Sequence, residues 1–227
     1  MKAMILAAGR GERLRPLSAS LPKPLLEVAG ETLLGRHLRR LAAAGIRSVV
    51  VNVSHLAEQI VARFGDGAEL GLRIDWSREA EPLETAGGIA YARRLLGEDP
   101  FLLVNADIWC DCDFARLAAR DLGPRLAHLV LVPNPPQHPE GDFTLERGMV
   151  GNGSAPRYTY AGLAVLSPRL VDGVAAGAKA PLAPLWRSAA ERGQVSGELY
   201  RGRWSDVGTP ERLAGLRAQF AARRDER

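Results

Sequence analysis

Pro100-Phe101-Leu102-Leu103-Val104-Asn105 is apolar almost from end to end and does not alternate. A strand of that kind is covered on both faces, as in a parallel sheet packed between helices. Met4 to Ala8 is a second such run, and Ile46 to Val53, rich in β-branched residues, is a third. Leu72 to Trp76 alternates and reads as a further strand. Segments of helical spacing lie between them. Glu31 to Ala44 carries Leu34, Leu38 and Leu41 on one face, with Gly45 to end it. Leu56 to Phe64 is a short helix stopped by Gly65-Asp66-Gly67, and Thr85 to Leu96 is a helix closed by Gly97. Strands alternating with helices predict a doubly wound α/β sheet. With 227 residues, 46% of them hydrophobic, the chain is sized for one such domain with a substantial core.

The regularity breaks after Ala127 to Val132, itself a strand. Pro133-Asn134-Pro135-Pro136 is a loop. Gly141 to Leu145 and Tyr158 to Leu166 read as short strands around the glycine-rich stretch Gly148 to Gly153. Together they predict a small antiparallel insertion over the site, spanning residues 133–165. Leu182 to Ala190 is helical, Val195 to Asp206 strand-like, and Pro210 to Ala222 an amphipathic helix. No internal repeat and no second domain is visible, so residues 1–227 are expected to form one unit.

The end of the first strand carries the chemistry. Gly9-Arg10-Gly11 lets the backbone turn tightly and expose its N–H groups, which can wrap a phosphate as a positively polarised nest. Arg13 adds a forked permanent charge. Lys23 adds a point charge between Pro22 and Pro24, which limit its backbone freedom. The chain has only three lysines, Lys2, Lys23 and Lys179, among 30 basic residues, so a lysine at 23 stands out. The spacing is not that of the Gly-x-x-x-x-Gly-Lys-Ser/Thr loop. It also lacks the third glycine of Gly-x-Gly-x-x-Gly, because Leu14 occupies that place.

The stretch Ile5-Leu6-Ala7-Ala8-Gly9-Arg10-Gly11-Glu12-Arg13-Leu14-Arg15-Pro16, followed by Leu21-Pro22-Lys23-Pro24-Leu25, resembles the signature of the sugar-1-phosphate nucleotidylyltransferases. The resemblance runs from Met1 to about Leu213 and implies a Rossmann-like doubly wound mixed sheet of the nucleotide-diphospho-sugar transferase type. It implies a nucleoside triphosphate and a sugar 1-phosphate as partners, with transfer of a nucleoside monophosphate and release of pyrophosphate. Arg13 and Lys23 are then the catalytic cations. Leu6, Ala8, Gly9, Gly11, Glu12, Pro82 and Gly87 would bind nucleotide, Gly87 by letting the base approach closely. Asn105, Asp142, Tyr160 and Gly162 would bind the sugar. Asp107 and Asp206, the latter in Trp204-Ser205-Asp206-Val207-Gly208-Thr209, match the family's metal ligands and imply Mg²⁺, a hard ion that takes oxygen ligands. Ala106 stands where the family commonly has glycine before the first aspartate. Asp111 and Asp113 read as loop aspartates, Asp113 capping a helix over Phe114–Ala119.

Within the family, the short length, Glu81-Pro82-Leu83-Glu84-Thr85, Gly141-Asp142-Phe143 and Val195-Ser196-Gly197-Glu198 look most like the branch that joins UTP to N-acetylmuramate 1-phosphate in peptidoglycan recycling. Guanylyltransferases of mannose 1-phosphate and thymidylyltransferases of glucose 1-phosphate share the core motifs and remain alternatives. So does a nucleotide-binding subunit without turnover, although a pure binder has no need of all four of Arg13, Lys23, Asp107 and Asp206.

Composition removes other classes. A net charge of +4 suits anionic substrates, but no basic stripe with interleaved aromatics marks a nucleic-acid surface. No apolar run approaches the ~20 residues of a membrane span, and no signal segment opens the chain, so a cytoplasmic monomer or small homo-oligomer is expected. Cys110 and Cys112 are too few for a disulfide framework and read as reduced thiols. His37, His55, His128 and His138 are scattered and define no site.

Overall fold

The computed structural model describes residues 1–154 and 156–225, with side chains as far as Ala221. Its first half runs β1 (Lys2–Leu6), α1 (Leu17–Ser20), β2 (Glu27–Val28), β3 (Glu31–Thr32), α2 (Leu33–Ala43), β4 (Ser48–Val53), α3 (Ala57–Phe64), β5 (Arg73–Arg78), α4 (Glu84–Tyr91), α5 (Arg93–Leu96) and β6 (Phe101–Asn105). The second half runs β7 (Ile108–Cys110), α6 (Phe114–Ala118), β8 (Ala127–Val132), β9 (Phe143–Glu146), β10 (Met149–Gly151), β11 (Arg157–Leu166), α7 (Ala183–Glu191), β12 (Val195–Leu199), β13 (Trp204–Asp206) and α8 (Pro210–Asp225). Short 3-10 turns cover Glu12–Leu14 and Lys23–Leu25.

The main sheet has nine strands in the order β5-β4-β1-β6-β11-β8-β12-β10-β9. From β5 to β6 every pairing is parallel. These are the apolar runs, and each has a helix to carry the chain back. β11 enters antiparallel beside β6, and β8 then pairs antiparallel with β11. The expected doubly wound mixed sheet is therefore present, and the antiparallel elements join it at one side rather than lying apart from it. Tyr158 to Leu166 is part of a central strand, because Leu163 to Leu166 bury completely between β6 and β8. Only β9 and β10 form the outlying hairpin.

Both faces of the sheet are covered. α2, α3 and α6 lie over one, with Leu34, Leu38, Ile60 and Phe114 packed on Val49, Val51 and Val104. α4, α5 and α7 lie over the other, with Ile89, Leu96 and Trp186 packed among Met4, Leu103 and Leu129. α8 closes a third cluster, in which Leu213 and Leu216 meet Leu14, Leu26, Trp109 and Val207. No described helix is long and apolar enough to cross a membrane.

Helix ends follow the sequence. Asp113 caps α6 by accepting from the amides of Ala115 and Arg116, at 2.9 and 3.2 Å, as expected. The single helix read over Thr85–Leu96 is instead two, α4 and α5, with Ala92 between them as the C-cap of one and N-cap of the other. The strand-like stretch 195–206 is also two strands, separated by Tyr200 to Arg203.

His37 is buried in α2, and its Nε2–H donates to the Ile108 carbonyl at 2.9 Å. That bond ties α2 to the start of β7, next to Asp107. Burial depresses the imidazole pKa to about 4. The unfolded chain takes up a proton near 6.5, whereas the folded chain resists until about 4, so stability falls as pH drops through that window. The loss approaches roughly 3 kcal/mol for this group. His37→Gln, which can still donate to Ile108, is expected to flatten the acid limb of a denaturation series between those limits.

Candidate active site

The site forms at the carboxyl ends of β1 and β6, where neighbouring strands depart to opposite sides of β1. β1 ends at Leu6, and the chain then turns through the glycine loop. Gly11 takes φ of +63°, a conformation that favours glycine. A Cβ there would also press on Ser18 and Lys23, at 3.2 and 3.4 Å from their Cβ atoms. The Gly11 carbonyl accepts from Ser18 Oγ at 2.7 Å and from the Leu14 amide at 2.8 Å. The amides of Gly9, Arg10, Gly11, Glu12 and Arg13 have no acceptor among the described residues. A run of unpaired N–H groups suits an anion. Arg13 likewise has no ion-pair partner among the described side chains.

Lys23 reaches from the next turn to Asp107, with Nζ 2.6 Å from Oδ2. Leu6, Ala8, Gly9, Lys23, Pro82, Glu84, Thr85 and Asn105 line a cleft of about 210 Å³ on one side of this pair. Gly11, Glu12 and Arg13 line its continuation towards solvent, with Arg10, Pro82 and Lys179. The expected nucleotide residues thus assemble, with one exception. Gly87 faces away from the cleft: a Cβ on it would strike the Ala178 carbonyl, and its amide bonds Ala180 O at 3.1 Å. Its small size serves the packing of α4 against residues 178–180, and it does not line the cleft.

The floor of the cleft holds residues that sequence reasoning missed. Asn52, buried at the end of β4, accepts from the Ala7 amide at 2.8 Å and donates to Glu79 at 2.7 Å. Glu79 accepts in turn from the Leu83 amide at 3.0 Å. Burial raises the Glu79 pKa, and the hydrogen bonds from Asn52 and Leu83 oppose the rise. This chain links the phosphate loop to the turn that carries Pro82.

A second cavity of about 270 Å³ lies on the other side of Asp107. Its wall includes Arg13, Asn105, Asp107, His138, Tyr160, Gly162, Trp204, Asp206 and Arg212. Asp107 and Asp206 meet because β7 and β13 form a two-stranded antiparallel ribbon, with Asp206 opposite Ile108 and the Val207 amide bonded to Asp107 O at 2.7 Å. Gly162, at φ +77°, sits beside an irregularity in the β11–β8 register and leaves no room for a Cβ against Ile108 and Asn105. Asp142 is set behind this cavity. Its carboxylate accepts from the Tyr160 amide at 2.8 Å and lies 3.0 Å from His138 Nε2. Asp142, expected to bind sugar, is not among the residues that line this cavity; its neighbour His138 is.

Arg212, also unread in the sequence, donates from Nη1 to Asp206 Oδ2 at 2.9 Å. The same nitrogen is 2.7 Å from Oδ1, an ion-pair contact without hydrogen-bond alignment. Asp206 Oδ1 is buried and takes no aligned hydrogen bond among the described residues. Asp206 Oδ1 is thus held against Arg212, Asp107 Oδ1 takes no hydrogen bond among the described residues, and no third His, Cys, Asp or Glu joins the two carboxylates among them. That donor set suits a hard cation that completes its shell with water and phosphate. Cys110 and Cys112 are buried free thiols. Burial pushes Cys112 up to about 12 and raises Cys110, so both are thiols in the protein alone.

Residues 2–143 match the family model described as Nucleotidyl transferase. The chain belongs to the nucleotidyl transferase family. It is 48% identical to the N-acetylmuramate alpha-1-phosphate uridylyltransferase of Neisseria meningitidis serogroup B, over 98% of this chain and 99% of that protein. Identity to the enzyme of the same name from Caulobacter vibrioides is 36%, over 96% of each chain. Identity to the mannose-1-phosphate guanylyltransferase catalytic subunit beta of Xenopus tropicalis is 31%, over 93% of this chain and 62% of that protein. A putative glucose-1-phosphate thymidylyltransferase from Bacillus anthracis has the same fold, with a TM-score of 0.86 at 17% identity, covering 96% of this chain and 94% of the other. Membership of this family, with sugar-1-phosphate nucleotidylyltransferases among its relatives, gives the site a nucleoside triphosphate and a sugar phosphate to handle.

Asn52 offers a test of the link between the two loops of the nucleotide cleft. Asn52→Ala strands the Ala7 amide and one Glu79 oxygen in a buried site. A loss of roughly 1–3 kcal/mol in unfolding free energy is expected from denaturant titration.

Proposed function

We propose that this nucleotidyl transferase transfers UMP from UTP to N-acetylmuramate 1-phosphate, giving UDP-N-acetylmuramate and pyrophosphate. The observation that carries the reading is the 48% identity, end to end, with the uridylyltransferase of Neisseria meningitidis. The longer guanylyltransferases match at lower identity and over 62% of their length, which favours them less.

The chemistry follows from charge. The nucleophile is a phosphate oxygen, already largely ionised at neutral pH because the second phosphate pKa is about 6. No general base is required. The barrier is the approach of two polyanions and the charge that develops on the α-phosphate and the leaving pyrophosphate. The free amides of residues 9–13 and the unpaired Arg13 would hold the departing phosphates. Lys23 lines the nucleotide cleft and bonds Asp107, which borders both cavities, and it would contact the reacting phosphates and help draw them into line. Asn105 borders both cavities and would orient the two sugars. Tyr160 and Gly162 shape the acceptor side.

Mg²⁺ would be held by Asp107 and Asp206. When bound it would neutralise charge on the reacting phosphates. Arg212 and Lys23, which occupy the two carboxylates, keep their charges compensated in the protein alone.

Pyrophosphate release, measured with Mg²⁺ across UTP, GTP and dTTP and across N-acetylmuramate, mannose and glucose 1-phosphates, tests the assignment. The UTP and N-acetylmuramate 1-phosphate pair is expected to dominate; preference for another pair overturns it. Lys23→Ala is expected to lose about 10²-fold or more in kcat with an unchanged thermal transition, since it removes charge at the reacting phosphates.

A further inference from the structure

One group on the acceptor cavity has no part in handling phosphate. His138 reaches the wall from the loop after β8, whereas the phosphate-side residues come from the glycine loop and the β7–β13 ribbon. Its surroundings hold it in place. The backbone of His138 is pinned by its amide, which donates to Pro135 O at 2.9 Å. Its ring is pinned through Nε2, 3.0 Å from Asp142 Oδ1. Asp142 is itself fixed, because its other oxygen accepts from the Tyr160 amide at 2.8 Å and its carbonyl accepts from Arg157 at 2.6 Å.

With Nε2–H committed to Asp142, the Nδ1 edge is the one left for a ligand, and it has no hydrogen-bond partner among the described residues. An imidazole held this way offers its free edge in a fixed direction, as recognition of a ligand group requires, and a proton on each nitrogen would make both edges donors. The guanidinium groups on this wall have tasks already: Arg212 is paired with Asp206, and Arg13 sits at the mouth of the phosphate loop.

The chemistry of the acceptor supplies a matching anion. N-acetylmuramate differs from N-acetylglucosamine by a lactyl ether that carries a carboxylate. We propose that His138, positioned by Asp142, binds that carboxylate and so selects an acidic sugar 1-phosphate over its neutral counterpart. The inference rests on the acceptor assigned above and names the residue that reads it. His138 is a specificity residue in this account, and Asp142 a positioning residue.

The test compares the protein with its His138→Gln variant, using UTP, Mg²⁺ and either N-acetylmuramate 1-phosphate or N-acetylglucosamine 1-phosphate. The unaltered protein is expected to prefer the acidic sugar in kcat/KM. The variant is expected to lose about tenfold or more of that preference, mainly through a higher KM for the acidic sugar. A preference that stays where it was, or an equal fall for both sugars, overturns the inference and leaves the assigned reaction standing. Absence of turnover of the acidic sugar with UTP by the unaltered protein overturns the assigned reaction, and this inference with it.

Discussion

Lys23 and Asp107 lie 84 residues apart and meet at 2.6 Å, half-buried, between two cavities. A cation that is to touch two polyanions must be held at their junction before either arrives. A flexible four-carbon side chain cannot hold itself there. The pair does so by setting the charge of Lys23 against a carboxylate just beyond the end of a strand whose first four residues are buried. The rest of the site is arranged around that contact. The glycine loop lies on the nucleotide side, the β7–β13 ribbon on the acceptor side, and Asn105, two residues before Asp107, borders both.

The supports of these groups are mostly hydrogen bonds to backbone. Asn52 secures the end of β1 through the Ala7 amide, Ser18 secures the Gly11 carbonyl, His37 secures the Ile108 carbonyl, and Asp142 secures the Tyr160 amide. Each leaves free the face that would meet substrate. Such preorganisation is what a reaction without a general base depends on, because the fixed positions of charges and dipoles supply the rate. The cost falls on the buried polar groups themselves: His37 is held neutral well into acid, and Glu79 is pushed towards its protonated form.

α8 shows how a peripheral element enters the chemistry. Leu213 and Leu216 pack it on Leu14 and Trp109, directly behind the phosphate loop and the ribbon. That packing delivers Arg212 to Asp206. The guanidinium compensates a carboxylate that would otherwise face its neighbour Asp107 across the ribbon, where like charges repel.

The sequence by itself determined the parallel half of the sheet and the phosphate loop, but not the place of β11 at the centre of the sheet. Continuous apolar runs bounded by turn residues suit a sheet covered on both faces, and Gly9, Gly11, Arg13 and Lys23 are legible from local spacing as types suited to phosphate, whereas Asp107 and Asp206 are marked as metal ligands by the resemblance to the family's signature. Only the tertiary structure decided which distant groups touch. Gly87 reads as a base-facing glycine but packs on Ala178; Asp142 reads as a sugar ligand but stands behind His138; Asn52, Glu79 and Arg212 carry no motif at all. The reason is physical. The direction of a side chain on a loop, and the partner it meets 20 or 100 residues away, follow from strand order, register and the bulge at Gly162, and none of these is encoded in the periodicity of any one segment.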